Sequence, residues 1–135
     1  MGEKRQEKEF DFWNDHSLEF LEMAMKRDFQ ETVAACDGYG KSVRPGCRDT
    51  IEFFLMEKGG RIDAVSYDLS GCIFSHACAN TVIKLAKGAP VEKALAIKAQ
   101  DIVDYLKTLP EAEVHCADHA LRAFHRAVRQ ISGDR

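Results

Sequence analysis

Five positions in this chain combine residue types that bind transition metals with places where the backbone must change direction. The stretch Val114-His115-Cys116-Ala117-Asp118-His119 sets a thiol beside an imidazole, a soft and a borderline metal ligand. Ala120, Leu121, Phe124, Val128 and Ile131 follow at helical spacing, with Pro110 a few residues upstream, so Cys116 is expected to open the last helix. A cysteine in that position faces unpaired backbone N–H groups and the positive end of the helix dipole. Both favour the thiolate, the form that binds metal or attacks sulfur. Cys47-Arg48-Asp49 and Gly71-Cys72 supply two more thiols and a carboxylate.

The elements between these residues decide whether they can meet. Thr50 to Lys58 reads as a strand with Ile51, Phe53 and Leu55 on one face. Gly59-Gly60 is a hairpin signal. Arg61 to Ser70 is the return strand, with Ile62 and Ala64 on one face and Val65, Tyr67 and Leu69 on the other. A tight antiparallel hairpin brings its far ends together. Cys47 and Cys72 are therefore expected to be neighbours, although twenty-five positions apart. Thiolate, imidazole and carboxylate gathered in one place suit zinc, iron or an iron–sulfur cluster. The spacing is not that of a zinc finger, and Cys36 and Cys78 read as buried small hydrophobes.

Other segments are expected to carry packing. Ser17 is a plausible N-cap for a helix from Leu18 to about Ala35, with Leu18, Leu21, Met25, Phe29 and Val33 as its apolar stripe. Asp37 to Gly46 is rich in Gly and Pro and reads as turns and loop, with Tyr39 covering the core edge. A second helix is expected over Ser75 to Lys87, with Ala79, Val82, Ile83 and Ala86 toward the core and Gly88 after its end. Val91 to Ile97 and Asp101 to Leu106 read as short helices. His76 and Cys78 are expected to pack rather than ligate, His119 to face solvent, and the acids of residues 92–113 to be solvated faces and helix N-termini. His16 and His125 carry no signal.

Composition bounds the function. At 135 residues the chain is expected to be one domain over 1–135, with 1–15 flexible. It is 45% hydrophobic and its net charge is −3, which disfavours a nucleic-acid binder. No run of 18 apolar residues predicts a membrane span. The charged start, Met1 to Glu9, lacks the apolar core of a secretory signal. The odd count of 5 cysteines argues against a disulfide framework. A cytoplasmic protein with reduced thiols is expected.

Taken together, Cys47-Arg48-Asp49, Gly71-Cys72-x-x-Ser75, Lys87-Gly88-Ala89-Pro90 and Val114-His115-Cys116 resemble the iron–sulfur scaffold family of IscU and the NifU N-terminal domain. The resemblance covers about 47–131. It implies an α+β fold: a small antiparallel sheet, with the hairpin at about 50–70, covered on one face by helices and preceded by an N-terminal helix. It implies a scaffold or carrier rather than an enzyme, on which a transient cluster (2Fe-2S, or 4Fe-4S) is built and handed on. Cys47, Asp49, Cys72, His115 and Cys116 are then the ligands, with zinc able to occupy the same site, and Cys116 the candidate persulfide acceptor. The implied partners are a cysteine desulfurase, an iron donor and apo iron–sulfur recipients, with the scaffold a monomer or a cluster-bridged dimer.

Departures from the family pattern matter. Arg48 stands where the family has Gly, and Ile73-Phe74-Ser75-His76-Ala77-Cys78 is bulkier than the usual run of small residues. Leu109-Pro110-Glu111-Ala112-Glu113 replaces the family's Leu-Pro-Pro-Val-Lys segment. The second Pro and the Lys are gone and two acids are added, which argues against the usual Hsp70-type chaperone as a partner. Cys72 and Cys116 are forty-four positions apart, without the insertion of the zinc-containing SufU branch. The alternative function is a zinc-stabilised sulfurtransferase that accepts and passes on persulfide sulfur.

Overall fold

The computed structural model describes residues 16–44 and 49–132. Its sheet has three antiparallel strands: β1 (Gly38–Val43), β2 (Thr50–Lys58) and β3 (Arg61–Ser70), in the order β1-β2-β3. Helix α1 (Leu18–Met25) precedes the sheet. Helices α2 (Ile73–Ala86), α3 (Val91–Leu95), α4 (Ala99–Leu106) and α5 (His115–Ser132) follow it, with a short 3-10 turn at Glu111–Glu113 before α5. The α+β architecture matches the expectation. No described helix is long and apolar enough to cross a membrane.

The hairpin forms as its pattern predicts. Gly59 and Gly60 both adopt positive φ, 61° and 82°, a conformation that suits the twist of a two-residue turn and strains any side chain with a Cβ. Ile51, Phe53 and Leu55 are buried against the helices. On β3 the expected face assignment breaks. Met56 pairs with Ala64 but Glu57 pairs with Ile62, so Asp63 is an extra residue in a bulge. The bulge turns both Ile62 and Val65 into the core, where strict alternation would have placed them on opposite faces.

Strand β1 runs through the segment expected to be loop. Its inward positions are Gly38, Gly40 and Ser42, opposite Leu55, Phe53 and Ile51. Over them lies a stripe of α5 made of Ala127, Ala123 and His119, spaced four apart. A Cβ on Gly38 would sit 2.3 Å from the Ala127 carbonyl oxygen, and one on Gly40 2.1 Å from that of Ala123. The glycines therefore mark a helix backbone pressed onto a strand, not turns. The outer edge of β1 is covered by the same helix: Gln130 accepts from the Tyr39 N–H at 2.9 Å, and Arg126 donates to the Lys41 carbonyl at 2.5 Å. Such cover keeps an edge strand from pairing with another chain.

Helix α1 is shorter than expected. Ser17 does cap it, its hydroxyl accepting from the Phe20 N–H at 3.0 Å and donating to the Leu106 carbonyl at 2.6 Å. The helix stops at Met25 because side chains take over its last carbonyls. The buried Asn80 amide donates to Met23 and Lys26, and Arg27 donates to Ala24. The chain beyond it lies along the free edge of β3, where Tyr67 N–H donates to the Phe29 carbonyl and Glu31 N–H to that of Tyr67. Phe20, Met23 and Ala24 are the buried face, whereas Leu18 and Met25 of the expected stripe are exposed.

The remaining helices fall near their expected bounds. Ala79, Val82, Ile83 and Ala86 of α2 are buried, and Gly88 follows its C-cap at φ 84°. In α5, Phe124 meets Phe53 edge-on, with ring centroids 5.5 Å apart. Helix α2 thus packs between α1 and α5 on one face of the sheet, and its N-terminus lies beside the end of β3 and the start of α5.

Candidate metal-binding site

Two of the expected thiols converge. Cys72 is the N-cap of α2 and Cys116 the second residue of α5. They approach because Thr50 pairs with Ser70, which leaves the chain after β3 at the mouth of the hairpin, and because α2 packs against α5. Ser75 lies between them in the first turn of α2. Its hydroxyl donates to Cys116 Sγ at 3.8 Å and lies 3.9 Å from Cys72 Sγ. Cys72 is exposed and Cys116 is 3% exposed, so one thiol is at the rim and the other at the floor. The four described cysteines, Cys36, Cys72, Cys78 and Cys116, are all free thiols.

The third donor is Glu113. Its carboxylate and the sulfurs of Cys72 and Cys116 lie within 4.8 Å of one another. One oxygen, Oε1, accepts from Cys116 Sγ at 3.7 Å and stands 3.9 Å from His115 Nε2. Reading the acids up to residue 113 as solvated faces missed this residue. Its position is set by the 3-10 turn: Pro110 enters with φ −60°, and the Glu113 N–H returns to the Pro110 carbonyl at 2.8 Å. The one signal available in the sequence was its place three residues before Cys116, one turn back along the chain.

Asp49 stands at the same mouth. A Cβ on Gly71 would be 3.7 Å from its carboxyl carbon, which places it beside the residue that precedes Cys72. Arg44 holds it, with guanidinium and carboxylate 4.0 Å apart, and the Arg44 N–H donates to the Asp49 carbonyl at 2.9 Å. Cys47 and Arg48 lie outside the described residues, and with them the expected approach of Cys47 to Cys72. The donors within reach of one another are two thiols and the Glu113 carboxylate, a set whose softness fits zinc or ferrous iron; Asp49 and the His115 imidazole border it.

The expected low pKa of Cys116 does not hold. Burial pushes its thiol up to about 12. The Ser75 hydrogen bond opposes this, while the neighbouring Cys72 and Glu113 add to it. The helix N-terminus is present, but removal from water outweighs it. Cys116 is therefore protonated when no cation is bound, and an arriving cation must displace that proton.

The other singled-out residues divide between packing and surprise. His76 is buried, with Nδ1 2.9 Å from the Tyr67 hydroxyl, and burial lowers its pKa to about 4. Cys78 is fully buried and its pKa is raised by burial. Both pack, as expected. His119 does not face solvent: it is 4% exposed, with Nδ1 3.1 Å from Ser42 Oγ. It belongs to the stripe of α5 pressed onto β1, so its burial follows from the close approach that the glycines of that strand allow. Tyr39 is on β1 rather than in a loop, bonded to the Glu52 carboxylate at 2.5 Å. His16 stacks on Phe20 with centroids 4.1 Å apart.

Comparison with known proteins places this geometry in a family. The chain is 30% identical over 96 residues to the iron-sulfur cluster assembly scaffold protein IscU 1 of Archaeoglobus fulgidus, covering 71% of this chain and 63% of that protein. It is 33% identical over 90 residues to the nitrogen fixation protein NifU of a Nostoc strain, covering 64% of this chain but 30% of that one. The chain thus spans less than two thirds of the length of either relative. Its fold is similar to the crystal structure of an N-terminal nitrogen-fixing NifU-like protein from Brucella abortus, with a TM-score of 0.72 over 93% of this chain and 100% of that one, at 14% identity. The model of the NifU-like N terminal domain matches residues 24–135, and the chain belongs to that family.

Proposed function

We propose that this chain is a scaffold on which an iron–sulfur cluster is assembled and from which it passes to apo recipient proteins. The cluster is cargo, held by Cys47, Asp49, Cys72, His115 and Cys116, and its sulfur comes from a cysteine desulfurase. The observation that carries the reading is the convergence of Cys72 and Cys116 from different helices at a rim that also holds Asp49 and His115. A cluster that must leave needs an open site with non-thiolate ligands, and this site has carboxylates and an exposed thiol. The names of the relatives agree with it. Zinc can enter the same pocket when no cluster is present. Sulfur arrival at Cys116, expected on the strength of a low pKa, loses that support, because the thiol is buried and protonated. Cys72 is the exposed thiol of the pair.

Anaerobic reconstitution of the full chain with ferrous iron, sulfide and a desulfurase tests the reading. Visible charge-transfer absorption and transfer of the cluster to an apo-ferredoxin are expected. Uptake of colourless zinc alone, with persulfide forming on a cysteine, would instead identify a zinc-stabilised sulfurtransferase. Asp49→Ala is expected to lengthen the lifetime of the cluster by removing a labile oxygen ligand. Faster loss would remove Asp49 from that role.

A further inference from the structure

We infer that Glu113 is a metal ligand, and that Cys72, Glu113 and Cys116 together hold a single divalent transition-metal ion with His115 as the fourth donor. The proposal deepens the scaffold reading by naming where the first metal sits, and the three donors stand without Cys47.

Distances carry the argument. In a tetrahedral zinc site a sulfur and an oxygen ligand stand about 3.6 Å apart, and two sulfurs about 3.8 Å. Cys116 Sγ and the Glu113 carboxylate are already 3.7 Å apart. All three donor atoms lie within 4.8 Å of one another, so at most about one ångström of side-chain adjustment closes the tetrahedral edges. His115 Nε2 is 3.9 Å from the same Glu113 oxygen but stands outside the group of donors within 4.8 Å of one another, so it reaches the remaining vertex by rotation of its side chain. The elements make the approach reproducible. Glu113 is fixed by the 3-10 turn, Cys116 by the first turn of α5, and Cys72 by its N-cap position on α2.

Charge points the same way. Where the family segment Leu-Pro-Pro-Val-Lys ends in a lysine, this chain has Glu113. A lysine there would set a cation beside the thiols, whereas a carboxylate supplies a ligand and repels thiolates until a cation arrives. Among the described residues the ion pair recorded for Glu113 is the one with His115, and no Lys or Arg neutralises it. Two thiolates, a carboxylate and an imidazole are a donor set for zinc or ferrous iron rather than for magnesium or calcium.

The experiment is a titration of the metal-free full chain with Co2+, compared with Glu113→Gln and Glu113→Asp. Wild type is expected to develop the ligand-field bands of tetrahedral cobalt with thiolate charge transfer. Glu113→Gln should weaken Co2+ binding about tenfold or more and shift the bands, with an unchanged metal-free melting temperature. Glu113→Asp should fall between the two. X-ray absorption of the zinc-loaded wild type, which needs no variant, should give two sulfur and two lighter ligands. Wild-type affinity and spectrum in Glu113→Gln, or three sulfurs around zinc, would overturn the inference. A wild type that reconstitutes and transfers a cluster while Glu113→Gln binds Co2+ normally leaves the scaffold reading standing and this one refuted. Glu113-dependent Co2+ binding with no cluster formed does the reverse.

Discussion

One turn of α2 separates two polar clusters built to opposite ends. At the N-cap, a chain of contacts of 3.7 to 3.9 Å runs from Cys72 to Ser75, from Ser75 to Cys116 and from Cys116 to Glu113, with one thiol open to solvent. Four residues on, His76 and Asn80 belong to a closed network. Asn80 donates to the carbonyls of Met23, Lys26 and His76 at 2.9 to 3.1 Å and lies 3.3 Å from the Tyr67 hydroxyl, which meets His76 at 2.9 Å. The inner cluster ties α1, α2 and β3 together, the two Asn80 N–H hydrogens shared among three carbonyls while its side-chain oxygen is buried without a partner. The open one has weak sulfur contacts in place of such bonds and so retains coordinating capacity. The difference separates polarity that specifies the fold from polarity left available for cargo.

Exchanging the damage should break the symmetry most plainly. Cys116→Ala is expected to weaken metal retention by more than about a hundredfold, since a ligand and not merely its support is lost. The same change removes one buried sulfur and should cost only about 1 kcal/mol in denaturant unfolding. Asn80→Ala should do the opposite. It withdraws the donor from three carbonyls and the Tyr67 hydroxyl, at a cost of about 3 kcal/mol, while the folded fraction binds Co2+ with wild-type stoichiometry. If Asn80→Ala lost metal as severely as Cys116→Ala, the two clusters would be one unit.

The closed cluster should also show itself as acid sensitivity. Burial is the main cause that lowers His76 to about 4, with Arg27 adding to it and Asp68 opposing, against an ordinary value near 6.5 in the unfolded chain. Above that value the imidazole is neutral in both states and its contribution is complete. As the pH falls from about 6.5 to about 4, the unfolded chain takes up a proton that the folded one refuses, so stability is lost across that window. At 1.4 kcal/mol per unit the loss is on the order of 3 kcal/mol. Burial lowers His119 and His125 too, so they add slope of the same sign. Unfolding of the metal-free protein measured between pH 7 and 4 should therefore flatten in His76→Gln.

What the sequence made legible was local. Alternation and Gly59-Gly60 announce the hairpin because strand faces and a positive-φ turn leave marks within a few residues. Cys72 and Cys116 were readable as ends of elements for the same reason. Strand β1 was not, because Gly38 and Gly40 carry the signature of turns while their cause is the carbonyls of Ala127 and Ala123, nearly ninety positions away. The early end of α1 depends on Asn80, and the inward turn of both Ile62 and Val65 on a bulge, and neither has a local marker. Glu113 was hidden by the same limit: an acid in a loop looks solvated until a 3-10 turn aims it. His119 was misjudged because the face α5 presents to β1 is chosen by the glycines opposite.

Ser75 offers the finest cut between the two clusters, because it touches both thiols but anchors no backbone outside its own turn. Its hydroxyl hydrogen bond is the one influence that lowers the Cys116 pKa against burial and two acidic neighbours. Removing it leaves the first turn of α2 intact, since the Ser75 N–H still donates to the Cys72 carbonyl at 3.0 Å. Ser75→Ala should therefore move the Cys116 pKa further up and change global stability by less than about 1 kcal/mol. Because the thiolate is the nucleophile, alkylation of Cys116 in the chelated, metal-free protein should slow by roughly threefold to tenfold at a fixed pH near 9, as one hydrogen bond of about 1 kcal/mol implies. Cys72, exposed at the rim, should react at nearly its wild-type rate in the same sample, which separates a local electrostatic effect from loosening of the helix. Equal acceleration of both cysteines would mean that the serine holds the turn closed and does not tune the thiol.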